Sequence, residues 1–179
     1  PGTSHFVAID QDGTAVSYTS TIEGSFGSGI MAGGYYLNNE LTDFSFTPDK
    51  QGKPVANRVE GGKRPRSSMA PTVIYGPDGK LFMAVGAAGG ATIPAQVARA
   101  VIGAIDWQLT AQQALALPVL FAPGDTVFVE RGSVLEAMIP SLRELGHTVE
   151  AKDMPLTANA ILLHGGTWTG AADPRSEGA

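Results

Sequence analysis

Two Asp-Gly dipeptides, each set between short β-rich runs, constrain this chain more than any other feature of its sequence. An Asp-Gly pair readily takes the positive-φ conformations of a tight hairpin turn, whose twist matches that of the flanking strands. The first hairpin reads His5 to Asp10, then Gln11-Asp12-Gly13, then Ala15 to Ile22. The second reads Thr72 to Tyr75, then Gly76-Pro77-Asp78-Gly79, then Leu81 to Val85. Strand alternation places Val16, Tyr18, Ser20 and Ile22 on one face of the first hairpin's return strand. Ser17, Thr19, Thr21 and Glu23 lie on the other. A row of hydroxyls ending in a carboxylate is expected to be a polar face, not a core face.

Helical spacing appears only after the second hairpin and its small-residue turn, Gly86 to Gly90. Ile93, Val97, Ala100, Val101, Ala104 and Ile105 predict an amphipathic helix. Thr110 with Gln113 predicts a capped start to a second helix. Val127 to Glu130 reads as a strand. Ser133 with Glu136 reads as another capping box, opening a helix with the stripe Leu135, Met138, Leu142 and Leu145 and closing at Gly146. Pro140 lies inside that helix and is expected to kink it. Thr148 to Ala151 and Ala160 to Leu163 read as strands. The Gly24–Gly34 stretch is glycine-rich, Ser45–Gly62 is loop-like, and so is the tail Ala171–Ser176. Strands, then helices, then strands predict an α/β sandwich, antiparallel sheet with helices on a face, in a single domain over residues 1–179.

Charged residues are 16% of the chain, against roughly 25% in a typical soluble chain. The deficit predicts that a partner chain covers part of the surface. The net charge is −5 and the densest basic cluster is only Lys63, Arg64 and Arg66, which argues against nucleic acid as a partner. No apolar run is long enough to span a membrane as a helix. No charged-then-apolar leader opens the chain, so no signal peptide is expected at its start. Cysteine is absent, which excludes disulfides and thiol catalysis. His5, His147 and His164 share no metal-ligand spacing, so no metal is expected. Neither a phosphate-binding loop, nor a dinucleotide fingerprint, nor a Gly-x-Ser-x-Gly elbow is present, and no cofactor is expected.

What remains is the start of the chain. A threonine at a free N-terminus is a self-contained catalyst: its hydroxyl is the nucleophile and its own α-amine, with a pKa of about 8, is the base. Here Pro1 and Gly2 precede Thr3, so as written its nitrogen is a peptide amide. From the residues alone, Thr3 is either that nucleophile or an ordinary strand residue. Asn38 to Asp43 is a capped turn or a ligand cradle, and Ser67-Ser68 is a loop pair or a binding pair. Gly89-Gly90 is a helix-entry turn or two N–H groups forming an oxyanion hole.

Taken in order, Thr3-Ser4-His5-Phe6, Phe26-Gly27-Ser28-Gly29-Ile30, Leu37 to Phe44 (LNNELTDF), Lys63 to Thr72 (KRPRSSMAPT), Gly89-Gly90 and Asp173-Pro174-Arg175-Ser176 resemble the small subunit of the γ-glutamyltranspeptidase family, which are N-terminal-nucleophile hydrolases. The resemblance covers essentially the whole chain. It implies an αββα sandwich completed by a large subunit cut from the same precursor. It implies that Thr3 is the nucleophile, freed by autocatalytic cleavage of the Gly2–Thr3 bond. Thr21 would hydrogen-bond it, and Gly89 and Gly90 would form the oxyanion hole. Asp43 would bind a substrate α-amine, Ser67 and Ser68 its α-carboxylate, and Glu40 would line the same pocket. The substrate would be a small amide whose acyl group passes to water or to an amine.

Three features depart from the transpeptidase pattern. Glu23 stands where transpeptidases usually have Asn, Ala88 and Ala91 flank the glycine pair, and Ser45–Gly62 is short for a lid loop. They lean toward the wider branch of the family, similar to cephalosporin acylases, capsule depolymerases and small-amide amidohydrolases such as those acting on oxamate. A non-catalytic, unprocessed member is the third reading. Periplasmic or secreted placement would follow the transpeptidases, cytoplasmic placement the amidohydrolases; the sequence leaves the compartment open.

Overall fold

In the computed structural model, which describes residues 2–176, the chain gathers into two compact units. One holds the chain up to Thr3 together with Ser20–Ser68. The other holds Ser4–Thr19 and the chain from Met69 onward. The first hairpin is as expected: β1 (Thr3–Ile9) pairs with β2 (Ala15–Thr21). Its turn is clamped by Asp10, whose carboxylate accepts from the N–H groups of Asp12 and Thr14 at 2.9 and 2.8 Å.

The first unit is mostly irregular. It contains two small hairpins: β3 (Met31–Ala32) pairs with β4 (Tyr35–Tyr36) at the end of the glycine-rich stretch, and β5 (Asp49–Lys50) pairs with β6 (Lys53–Pro54) within the segment expected to be loop-like. A 3-10 turn, Glu40–Asp43, lies between them. Phe44 is buried, whereas Phe26, Tyr35, Leu41 and Phe46 are exposed.

In the second unit the chain runs through β7 (Thr72–Tyr75), β8 (Leu81–Ala88), α1 (Ile93–Ile105), α2 (Ala111–Ala116), β9 (Leu120–Phe121), β10 (Thr126–Glu130), α3 (Ile139–Glu144), β11 (Thr148–Lys152), β12 (Thr157–His164) and β13 (Thr167–Ala172). A four-stranded antiparallel sheet has the order β13-β12-β8-β7. Met83, Val85 and Ala87 of β8 and Ala158, Ala160 and Leu162 of β12 share one core with Ile93, Val97, Ala100 and Ala104 of α1 and Leu115 of α2. Small residues let the two helices approach closely: a Cβ on Gly103 would meet Leu117 Cδ1 at 2.8 Å and Ala114 Cβ at 3.2 Å. The Thr110–Gln113 capping box forms as expected.

Four expectations need correction. The sheet β11-β10-β9 is not wholly antiparallel, because β10 and β11 run parallel. The α3 region between them supplies the long crossover that parallel pairing requires. Pro140 does not kink a helix. A 3-10 run, Val134–Met138, comes first, and Pro140 sits in the opening turn of α3, where a missing N–H costs nothing. Ser133 accepts from Leu135 N–H, while Glu136 reaches Gly132 N–H, so the capping box there is incomplete. The tail is also not all loop: Gly165-Gly166 closes a hairpin between β12 and β13, a Gly-Gly turn signal that went unread.

Beyond β13 the tail is fastened by charge. Asp173 is buried, and its carboxylate accepts from Arg175 Nε at 2.6 Å, Arg175 Nη2 at 2.8 Å and Arg99 Nη2 at 3.3 Å. Arg175 also donates to both oxygens of Glu130 and, through Nη2, to Leu115 O at 2.7 Å. Burial alone would lower the Arg175 pKa, but its hydrogen bonds to Asp173 and Glu130 outweigh that and raise it, so the group stays charged.

Candidate active site

The open end of the first hairpin belongs to the first unit. There Thr3 Oγ1 and Thr21 Oγ1 are 2.9 Å apart, and Glu23 N–H donates to Thr21 Oγ1 at 2.9 Å. A hydroxyl that accepts from a backbone amide keeps its own proton free to donate. Thr21 Oγ1 can therefore donate to Thr3 Oγ1, although either hydroxyl can be the donor of this pair. The strand ladder continues past Thr3: Gly2 N–H donates to Glu23 O at 3.0 Å, and Gly2 O accepts from Ile22 N–H at 3.2 Å. The Gly2–Thr3 peptide is thus held beside the Thr3 hydroxyl.

Glu23, Glu40 and Asp43 are close enough to interact. Burial raises the Glu40 pKa, and the charges of Asp43 and Glu23 raise it further. Glu23 has φ +69°, a left-handed conformation that costs a Glu about 1 kcal/mol and suits Asn better. Asn39, part of the Asn38–Asp43 run expected to be a capped turn or a ligand cradle, ties this region together. Its side chain accepts from Gly24 N–H at 2.8 Å, and its backbone N–H donates to Ile22 O at 3.2 Å. Asn57 was missed altogether. It donates to Asp43 O at 2.7 Å and accepts from Arg66 N–H at 3.1 Å, linking Asp43 to the segment that carries Ser67 and Ser68. Ser68 is half-buried and Ser67 exposed. Asn57 lay in a stretch read only as loop-like, and nothing in its spacing marks it.

In the second unit, Gly89 and Gly90 stand between β8 and α1. Gly89 is buried with φ +129°, and a Cβ there would lie 2.7 Å from Thr92 Oγ1 and 2.9 Å from Gln96 Nε2, so only glycine fits. Gly90 is exposed. The turn is held by Gln96, fully buried on α1, which donates to Ala88 O at 2.9 Å and accepts from Thr157 N–H at 2.9 Å. A glutamine on the apolar stripe of a helix was the available signal for it. Gln96→Ala is expected to destabilise the protein by about 1–3 kcal/mol for each backbone group left unpaired, read from denaturant midpoints.

The remainder of the hairpin overturns the expected orientation of the hydroxyl face. Ser17 and Thr19 point inward and are half-buried, while Phe6 and Tyr18 on the opposite face are 53% and 52% exposed. Polar side chains turn inward here because they find partners. Ser17 Oγ donates to Val85 O at 3.0 Å, and Thr19 Oγ1 is 2.8 Å from His5 Nδ1. Burial lowers the His5 pKa from its ordinary 6.5, opposed by a hydrogen bond to the Tyr18 backbone. A histidine that binds protons less well folded than unfolded stabilises fully above 6.5. That stability falls as pH drops below 6.5 and is gone below the lowered folded value. Thermal melts through the mildly acidic range are expected to show this slope, and His5→Gln to flatten it.

Among the described residues no group of three or more His, Asp or Glu side chains is arranged to hold a metal. The paired Thr3 and Thr21 hydroxyls on a mixed α/β framework are features of an N-terminal-nucleophile hydrolase, and the comparisons agree on that fold. A solved acivicin-inhibited gamma-glutamyltranspeptidase superposes with a TM-score of 0.84 at 32% identity, over 97% of this chain and 99% of that one. The family model for gamma-glutamyltranspeptidase matches residues 1–179, and the chain belongs to that family. It is 35% identical over 182 residues to the glutathione hydrolase proenzyme of Bacillus subtilis, covering 99% of this chain and 30% of the relative. It is 36% identical over 188 residues to the Escherichia coli glutathione hydrolase proenzyme, covering 97% and 31%. The chain therefore spans less than a third of the length of these relatives.

Proposed function

We propose that this chain is the small subunit of a self-cleaving precursor, and that the assembled enzyme breaks an amide bond through an ester on Thr3. The 2.9 Å contact between Thr3 and Thr21 hydroxyls carries the reading. In processing, Thr3 Oγ adds to the Gly2 carbonyl carbon and the C–N bond breaks. The Thr3 nitrogen takes a proton, and water hydrolyses the resulting ester. The freed α-amine then serves as base: it takes the Thr3 hydroxyl proton as Oγ attacks the substrate carbonyl and gives a proton to the leaving amine. Gly89 and Gly90 N–H groups would hold the oxyanion, at roughly 3 kcal/mol per donor. Asp43 would pair with a substrate ammonium, Glu40 would support it, and Ser67 and Ser68 would bind a carboxylate.

The large subunit of the same precursor is the proposed partner. The exposed Phe6 and Tyr18, with ring centroids 5.4 Å apart, and the low charge of the chain support it. The test is to express the whole precursor, determine the first residue of its small chain by mass, and assay a γ-glutamyl anilide. A chain beginning at Thr3 with activity is expected. Full activity in a chain that retains Gly2 would overturn the reading.

Glu23 favours a second reading, an acylase or amidohydrolase for another carboxylate-bearing amide. A carboxylate at this position can bind a substrate amine or a partner-chain arginine, or exclude a second substrate carboxylate, none of which Asn does as strongly. Glu23→Asn is expected to shift selectivity toward γ-glutamyl amides by roughly 1–3 kcal/mol, and to relieve backbone strain because Asn tolerates positive φ. The measurement is kcat/KM for a γ-glutamyl anilide against a monocarboxylate anilide. An unchanged ratio places Glu23 outside the specificity pocket.

A further inference from the structure

His5 is used by none of the chemistry above, yet it is the most constrained polar side chain of the hairpin. Its ring lies directly on the backbone of Gly86 in β8: a Cβ at Gly86 would fall 2.5 Å from Nε2 and 2.6 Å from Nδ1. Real side-chain carbons do not approach so closely, so β8 needs glycine here to admit the ring. Gly86 pairs with Asn159 of β12, which places the Asn159 side chain on the same face beside the ring. Asn159 Nδ2 donates to His5 O at 2.8 Å. On the hairpin itself, His5 Nδ1 meets Thr19 Oγ1 at 2.8 Å. Nε2 is buried with no hydrogen-bond partner among the described residues, and so is Asn159 Oδ1. A ring that gave up a polar partner for one seat is placed by shape, not by hydrogen bonding alone.

Thr3 and His5 are alternate residues of β1, and strand geometry gives them the same face. From this arrangement we propose that His5 is a positioning residue: seated on Gly86 and tied to Asn159 and Thr19, it fixes where β1 lies on the four-stranded sheet and thereby where the Thr3 hydroxyl stands. The proposal rests on Thr3 being the nucleophile.

Four versions of the whole, processed enzyme make the test: the unaltered protein, Gly86→Ala, His5→Ala, and the double variant. Misplacing a reacting atom by about an ångström can cost ~100-fold in rate. Gly86→Ala is therefore expected to lower kcat by ~100-fold with KM moved less than about threefold. With the ring removed the three atoms nearest the added methyl are gone, so adding Gly86→Ala to His5→Ala should cost less than about threefold more. His5→Asn, whose amide can replace Nδ1 toward Thr19, should recover about tenfold of the activity that His5→Ala loses. An equal penalty for Gly86→Ala with and without His5 overturns the proposal. So does a His5→Ala enzyme with unaltered kcat. Should Gly86→Ala not fold, the same cycle is read on the solubility and melting of the double variant, which the proposal expects to be restored; a double variant as damaged as the single one overturns it. Covalent labelling of Thr3 by a mechanism-based γ-glutamyl inhibitor, located by mass in the unaltered protein, is the separate check on the nucleophile. Failure there removes the catalytic reading, while the stability cycle still judges the seat.

Discussion

In a Thr3→Ala precursor, self-cleavage and turnover are both expected to disappear, with residual turnover down by ~10⁴-fold or more. On the proposed mechanism one hydroxyl serves both reactions: in the precursor it would attack the Gly2 carbonyl, whose residue the Ile22 and Glu23 backbones hold in the strand ladder, and in the mature enzyme it would attack the substrate. Thr21 Oγ1, the hydroxyl 2.9 Å from that of Thr3, also accepts from Glu23 N–H. The check is an intact-mass measurement for a single uncut chain, with an amidase assay alongside. Cleavage between Gly2 and residue 3 in that variant would identify a different nucleophile.

Arg175→Met is expected to give the largest loss of stability, about 3–5 kcal/mol by urea denaturation of the assembled protein. The reason is what it leaves behind. Asp173 is 1% exposed and would keep the Arg99 contact at 3.3 Å and the backbone N–H of position 175 at 3.0 Å but no bidentate guanidinium, while Glu130 would lose its guanidinium partner. Breaking a buried pair by removing one partner strands a charge in a medium that solvates it poorly. Arg99 cannot compensate, because burial already disfavours its own charge and its Nε has no partner. Arg175→Lys should recover little, since a single ammonium cannot reproduce the fork that reaches Asp173, Glu130 and Leu115 O together. A loss below about 1 kcal/mol would mean that the tail is held by something else.

Much of this architecture was legible beforehand because local chemistry decided it. Asp-Gly turns, the Thr110–Gln113 box and the α1 stripe are signals contained within a few residues, and each formed as expected. The parallel pairing of β10 with β11, the place of Pro140 and the β13 strand were misread. Strand direction depends on where a crossover packs, and helix boundaries are set by which short turn wins locally. In the site, Thr3, Thr21, Glu23, Glu40 and Asp43 could be singled out from the hydroxyl row and the family motifs. Asn57 could not, because its work is to join segments far apart in the chain, and Gln96 showed only as a polar residue on an apolar helix stripe.

The sequence by itself determined the strand–helix–strand order, the family, the shortage of surface charge, and the candidacy of a threonine that needs a free amine. All of these follow from composition, periodicity and motifs, which survive without coordinates. Only the tertiary structure decided which way the hairpin faces. Alternation separates Ser17, Thr19 and Thr21 from Phe6 and Tyr18 but does not say which set turns inward. Polarity alone pointed the hydroxyls outward. They turn inward because Val85 O and His5 are there to receive them, and those partners come from far along the chain or across the hairpin. The same contacts seat His5 on Gly86, a position where the absence of a side chain has meaning only once a ring is found above it.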